Sequence, residues 1–112
     1  MRLRSSERIR RRPEFQGVYD RGVRVRGRHC TAFVLATERT IGRLGIAATK
    51  KIGGAVRRNR AKRLIREVFR RNKIAPGFDV VVIPHRELLD ASLTVVEAEY
   101  RTLLERGIRR RR

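Results

Sequence analysis

The amino-acid sequence predicts an α+β fold: a single-domain two-layer sandwich of about four strands in one mixed sheet, with three helices packed on it in the order αβββαβα. Three observations carry this. Ala61, Leu64, Ile65, Val68 and Phe69 fall at i, i+3, i+4, i+7 and i+8, the apolar stripe of an amphipathic helix. Arg24, Arg26 and Arg28 alternate with Val23, Val25 and Gly27, the period-two pattern of a strand with one basic face. Residues 78–83 read FDVVVI, a continuous apolar run of strand length, as expected for a strand buried on both faces.

Taken in order, residues 1–12 hold six Arg and only Leu3 and Ile9 as sizeable apolar groups, which predicts a flexible basic arm. Pro13 suits the first turn of a helix, and Glu14 complements the positive end of its dipole. Phe15, Val18 and Tyr19 then share one face before Gly22 closes the helix. On spacing alone that stripe reads as core. The Arg-faced strand over 23–28 follows, then an apolar strand over 29–36, a turn at 38–40 and a third strand over 41–48.

Gly53-Gly54 opens the long helix with its amide N–H groups exposed, and Asn72 with Pro76-Gly77 ends it. After the 78–83 strand, Ser92 is positioned to cap a last helix over 92–106, with Leu93, Val96, Tyr100, Leu103 and Leu104 as its apolar stripe. Residues 107–112 form an Arg-rich tail, expected to be disordered from Arg109. No repeat and no second domain is apparent, so residues 1–112 form one domain.

The net charge of +19 points to a strongly anionic partner. It is concentrated between Lys50 and Lys73, where eleven Lys or Arg face one acid, Glu67. Arg58, Lys62 and Arg66 are four apart and share a helix face, although like charges at that spacing repel by about 0.2–0.5 kcal/mol per pair. A solvated surface helix mixes its signs, so this face is built against a polyanion. By contrast, residues 78–105 hold six acids and two bases, which puts the last helix on the side turned away from that partner. Twenty-six of the thirty basic residues are Arg. Arg suits bidentate phosphate contact and base stacking, and a GC-rich coding bias gives the same excess.

Several chemistries are excluded. One cysteine, Cys30, rules out an internal disulfide and a cysteine-based zinc cluster. Cys30 lies in an apolar strand, and the adjacent His29 points to the other side of a strand, so the two do not form a nucleophile–base pair. His29 and His85 have no evident partners in the sequence, the acids are scattered, and no phosphate-loop spacing is present. The chain reads as a binder with no catalytic side chains of its own. No apolar run approaches a membrane span, which with the absence of a signal sequence leads to an expectation of cytoplasmic location.

The phrase KKIGGAVRRNRAKRLIREVFR, together with EFQGVYDRG and the strand order around them, closely resembles the bacterial ribonuclease P protein family. These are small basic subunits that join a catalytic RNA to trim the 5′ leader from precursor tRNA. The resemblance covers the chain from about Arg12 to Ile108. It implies that Arg58, Asn59, Arg60, Lys62, Arg63 and Arg66 contact the catalytic RNA, with Lys50 and Lys51 near the same surface. It also implies that Phe15, Tyr19 and Phe33 are the aromatic positions of a central cleft for the single-stranded leader, beside Arg24, Arg26 and Arg28. That moves the Phe15/Tyr19 stripe from core to a stacking surface.

Further implications are a left-handed βαβ crossover through the long helix, against the general rule, and Mg²⁺ held by the RNA, with no cofactor on the protein. The implied partners are one ribonuclease P RNA per protein and precursor tRNA, with no membrane and no obligate protein partner. A structural RNA binder such as a ribosomal protein is the alternative, and the aromatic stripe beside a basic strand argues against it. A membrane-surface polycation is disfavoured by the clean strands and the acidic last helix, and no helix-turn-helix pair supports DNA binding.

Overall fold

The computed structural model describes residues 5–72 and 77–110. Its elements are α1 (Arg12–Arg21), β1 (Val23–Arg26), β2 (Cys30–Ala36), β3 (Arg43–Ile46), α2 (Ala55–Arg71), β4 (Phe78–Pro84) and α3 (Leu93–Arg110). Short 3-10 turns lie at Ser5–Glu7, Lys50–Ile52 and Arg86–Asp90. The expected αβββαβα order is therefore present.

The sheet order is β1-β2-β4-β3, with β1/β2 and β2/β4 antiparallel and β3/β4 parallel. β4 lies inside the sheet, which is why its sequence is apolar apart from Asp79: Val80, Val81 and Val82 are all fully buried, although they point to alternate faces. One face carries Val25, Ala32, Val34, Leu44, Val80 and Val82 into the main core. Ala61, Ile65, Val68 and Phe69 of α2 pack against it, as do Val96, Tyr100, Leu103 and Leu104 of α3. The helical spacing read in the sequence is the spacing of these contacts.

α1 packs on the opposite face. Its Val18 joins Ile9 and Val81 in a second, smaller core, flanked by Phe15, Tyr19, Phe33 and Leu35. The two-layer description omits this distribution. Among the described residues, α1 and the docked Ile9 cover that face, and part of the sheet is left open.

The helix ends follow from local chemistry. Glu14 accepts the backbone N–H groups of Arg10 and Arg11 at 3.4 and 3.3 Å, satisfying donors at the start of α1. Gly53 adopts φ 133°, a conformation that favours glycine, to turn the chain from the 3-10 turn into α2. Asn72 ends α2 by donating from Nδ2 to Val68 O at 2.9 Å and to Glu97 Oε2 at 2.6 Å. Pro76, the other expected terminator, lies outside the described residues. Ser92 Oγ accepts the Val95 N–H at 3.3 Å, the expected cap of α3.

Two segments differ from expectation. From Arg8 onward the N-terminal segment is docked along the β3 edge: the Ile9 N–H donates to Leu44 O at 2.9 Å, and Ile9 is 5% exposed. A flexible basic arm does not describe residues 8–12, because Ile9 has an apolar bed beside Val18 and Val81. Likewise α3 continues through the first part of the expected tail. Gly107 is buried, Ile108 packs on the core, and Arg109 pairs with Glu105 at 3.4 Å. Residues 1–4 and 111–112 lie outside the described residues.

Candidate nucleic-acid interface

The register fixes which side chains share the open face. Arg24 of β1 lies opposite Phe33 of β2, and Arg26 opposite Thr31. Phe33 and Thr31 in turn lie opposite Val81 and Ile83 of β4. All six point away from the main core. α1 covers one end of this face, held there by Arg43, whose guanidinium donates to Asp79 Oδ1 and Oδ2 at 3.0 and 2.7 Å and to Glu14 Oε2 at 2.8 Å. The hydrogen bond from Arg43 holds the Glu14 carboxyl down at about 2.

The other end is an open groove of about 920 Å³. Arg24, Arg26 and Arg28 form one wall, and Lys51, in the 3-10 turn after β3, stands on the far side. Thr31, Phe33, Ile83 and His85 line it between them, and Glu87 is the one acid among its described lining residues. His85 Nδ1–H donates to Arg28 O at 3.0 Å, so its Nε2 accepts the Thr31 hydroxyl at 2.8 Å. Thr31 and His85, on the groove floor, are thus paired with each other and with the Arg28 carbonyl. What remains available to a ligand is aromatic and apolar surface between cations, which suits stacked, unpaired bases of any sequence.

The aromatic residues extend this surface onto α1. Phe15 and Tyr19 have ring centroids 6.4 Å apart, and Tyr19 meets Phe33 edge-on at 5.0 Å. Phe15 lies over Gly45, where a Cβ would come within 2.9 Å of the ring. The six residues expected for a central cleft are therefore contiguous, through Phe33.

A second basic surface lies on α2. Lys62 and Arg66 meet Arg8 and Arg10 around a smaller pocket beside Phe15, with no acid among its described lining residues. Burial, and then the charge of Arg8, pull the Arg66 guanidinium below its ordinary range. Arg8 Nε is buried and has no hydrogen-bond partner among the described residues. Arg8, Lys62 and Arg66 converging on one pocket offer the charge-assisted donors that suit a phosphate. Along the same helix Arg58 is half-buried, while Asn59, Arg60 and Arg63 are exposed; Lys50 is exposed just before it. Lys51 is the exception within the basic set, because it belongs to the groove.

Sequence reasoning missed Thr31, His85 and Arg86 in the groove; it read Arg8 and Arg10 as part of a phosphate-meeting arm but did not place them beside α2. The Arg residues were visible as charge, but their placement depends on pairing across the sheet. The histidines also gain partners that the sequence hid: His85 as above, and His29, whose Nδ1–H donates to Glu99 at 3.1 Å. Cys30 is fully buried, and burial followed by the charge of Glu99 pushes its thiol up to about 12. His29 and Cys30 share that carboxylate instead of each other. Among the described residues no group of three or more His, Cys, Asp or Glu is placed to hold a metal ion, and no helix is long and apolar enough to cross a membrane.

A mixed sheet with a cationic, ring-lined groove on one face and an Arg-rich helix at its edge defines a small polyanion-binding protein suited to single-stranded nucleic acid. Comparison with known proteins is specific. The ribonuclease P family model matches residues 3–107. The ribonuclease P protein component of Syntrophus aciditrophicus is 47% identical over 72% of this chain and 70% of its own. That of Clostridioides difficile is 32% identical over 88% and 89%. The structure of the Thermotoga maritima ribonuclease P protein superposes with a TM-score of 0.80 at 36% identity, covering 89% of this chain and 96% of that one.

The chain belongs to the ribonuclease P protein family. It is the protein subunit of an RNA-containing endoribonuclease that matures the 5′ end of tRNA, and it works with the RNA subunit on precursor tRNA.

Proposed function

We propose that this chain divides its two basic surfaces between two RNAs. The groove at the open end of the sheet, with Phe15, Tyr19 and Phe33 as stacking platform and Arg24, Arg26 and Arg28 as phosphate contacts, receives the single-stranded 5′ leader of precursor tRNA. The exposed face of α2, with Arg58, Asn59, Arg60, Lys62, Arg63 and Arg66, docks on the catalytic RNA, and Lys50 and Lys51 bridge the two. The observation that carries this is the contiguity of aromatic rings and arginines across the open sheet face, a surface that double-stranded tRNA does not need.

The chemistry in this reading belongs to the RNA subunit and the Mg²⁺ ions that it holds. The chain, at +19, neutralises crowded phosphates and strengthens binding of the leader-bearing substrate over the mature product. One protein serves one RNA, in the cytoplasm, with no obligate protein partner. The test is cleavage of a 5′-extended precursor tRNA at low Mg²⁺ by the protein, by a bacterial ribonuclease P RNA and by the two together. Cleavage at the mature 5′ end only with both supports the reading, and no stimulation by the protein refutes it. Within the assembled enzyme, Tyr19→Ala weakens precursor binding by about 1–3 kcal/mol, the worth of one stacked base, and leaves mature tRNA unchanged. Equal losses for both RNAs would remove the leader from the groove.

A further inference from the structure

The turn between β1 and β2 carries Arg28 at the wall of the groove, and it is held from behind by a carboxylate of α3. Glu99 Oε1 accepts the Arg28 N–H at 3.0 Å and the His29 ring N–H at 3.1 Å. Its Oε2 accepts the His29 backbone N–H at 2.8 Å and the Cys30 thiol at 3.6 Å. The fit is close, since a Cβ on Gly27 would stand 2.8 Å from the carboxylate. From the groove side, Arg28 O accepts from the His85 ring at 3.0 Å and His29 O from the His85 backbone N–H at 2.8 Å. The turn is thus pinned between two elements that lie far from it in sequence. Burial alone would raise the Glu99 pKa, but the hydrogen bonds from His29 and Arg28 outweigh it and hold the carboxyl below its ordinary range.

We infer that Glu99 is a positioning residue for leader recognition: it holds the 27–30 turn so that Arg28 and Arg26 meet the RNA already ordered. This rests on the groove being the leader site. Glu99 reaches the turn from α3, which packs on the sheet face opposite the groove, and its effect passes through the backbone of the turn. An Arg on a free turn must be ordered when RNA binds, and that loss subtracts from affinity.

The sign of the effect separates this from a charge effect. Removing an acid from so basic a protein would, by charge alone, tighten its binding to every RNA. Positioning predicts the reverse, and only for RNA that bears a leader.

The experiment uses enzyme reconstituted from the full chain and a bacterial ribonuclease P RNA. It compares the affinity for precursor tRNA with that for mature tRNA in Glu99→Gln, in Gly27→Ala and in Tyr19→Ala. Gly27→Ala keeps the acid but displaces it, and carries the test if Glu99→Gln does not fold. Both variants are expected to lower the preference for precursor about two- to tenfold, the range for one side chain left unordered, with affinity for the ribonuclease P RNA and for mature tRNA unchanged. A lower thermal midpoint with the preference intact would make Glu99 merely structural and overturn the inference, as would tighter binding of both RNAs. If only Tyr19→Ala lowers the preference, the groove stands and Glu99 has no part in it. If Tyr19→Ala also leaves the preference intact, the groove reading fails and this inference with it.

Discussion

Arg43 and Asp79 face each other across the parallel β3/β4 pair, joined by two hydrogen bonds of 3.0 and 2.7 Å, with side chains only 9% and 6% exposed. Glu14 of α1 completes the triad at 2.8 Å. A buried bidentate pair of this kind stabilises little relative to apolar packing, but losing one partner leaves a charge buried alone. Arg43→Leu is therefore expected to cost about 3–5 kcal/mol in urea denaturation. The double variant Arg43→Leu with Asp79→Leu is expected to recover most of that loss, and additive losses would refute the pairing as the cause.

The same triad sets an acid dependence. The Glu14 carboxyl is lowered from 4.5 to about 2 on folding, chiefly by its hydrogen bond from Arg43. Its contribution to stability is complete above pH 4.5 and is lost as the pH falls towards 2. In denaturation midpoints measured from pH 7 to 2, the difference between the natural chain and Glu14→Gln is expected to be constant down to about pH 5 and to shrink below it. A difference that persists at pH 2 would show that Glu14 acts through packing.

Gly107 sets two effects against each other. In a helix interior Ala is favoured over Gly by about 1 kcal/mol. Here, however, a Cβ would lie 2.5 Å from Val34 Cγ2 on the sheet beneath. Overpacking costs about 1–3 kcal/mol, so Gly107→Ala is expected to be net destabilising. An increase in the thermal midpoint would mean that α3 lifts off β2 without penalty.

Tyr100 is fully buried, and its hydroxyl has no hydrogen-bond partner among the described residues; burial drives its pKa well above the ordinary tyrosine value. An unsatisfied buried hydroxyl costs about 1–3 kcal/mol. Tyr100→Phe is thus expected to leave stability unchanged or raise it by about 1 kcal/mol, measured by urea denaturation. A loss of stability would reveal a partner for the hydroxyl.

Cys30 supplies a probe of the main core. With its thiol buried and pushed up to about 12, it is expected to resist thiol-modifying reagents at neutral pH in the native state and to react once the chain is unfolded. Fast modification of the native protein would show that α3 and the 27–30 turn open readily.

How much of this was legible in the sequence varied by element. The stripe of Ala61, Ile65, Val68 and Phe69 predicted α2 because helical period and core burial are the same fact seen twice. The FDVVVI run predicted an interior strand for the same reason. The acids of the C-terminal third were legible only as charge. Asp79 pairs with a residue 36 positions away, Glu97 with Asn72 at a separation of 25, and Glu99 with Arg28 at a separation of 71. A patch that looked like a surface turned from RNA is in large part a set of clamps. His29 and His85 looked partnerless because their partners come from other strands and helices.

By itself, the sequence determined the order and type of the elements, the charge of the partner, and which residue types were available for stacking and phosphate contact. Those properties follow from local periodicity and composition. Tertiary structure decided that α1 lies on the opposite face from α2 and α3, so that Phe15 and Tyr19 meet Phe33 at the edge of an open groove. It also decided that Ile9 docks and brings Arg8 to Arg66, and that Glu99 reaches the turn behind Arg28. These relations depend on strand register and on which face each helix covers. Both are set by burying the whole apolar surface at once, and no short window of residues contains them.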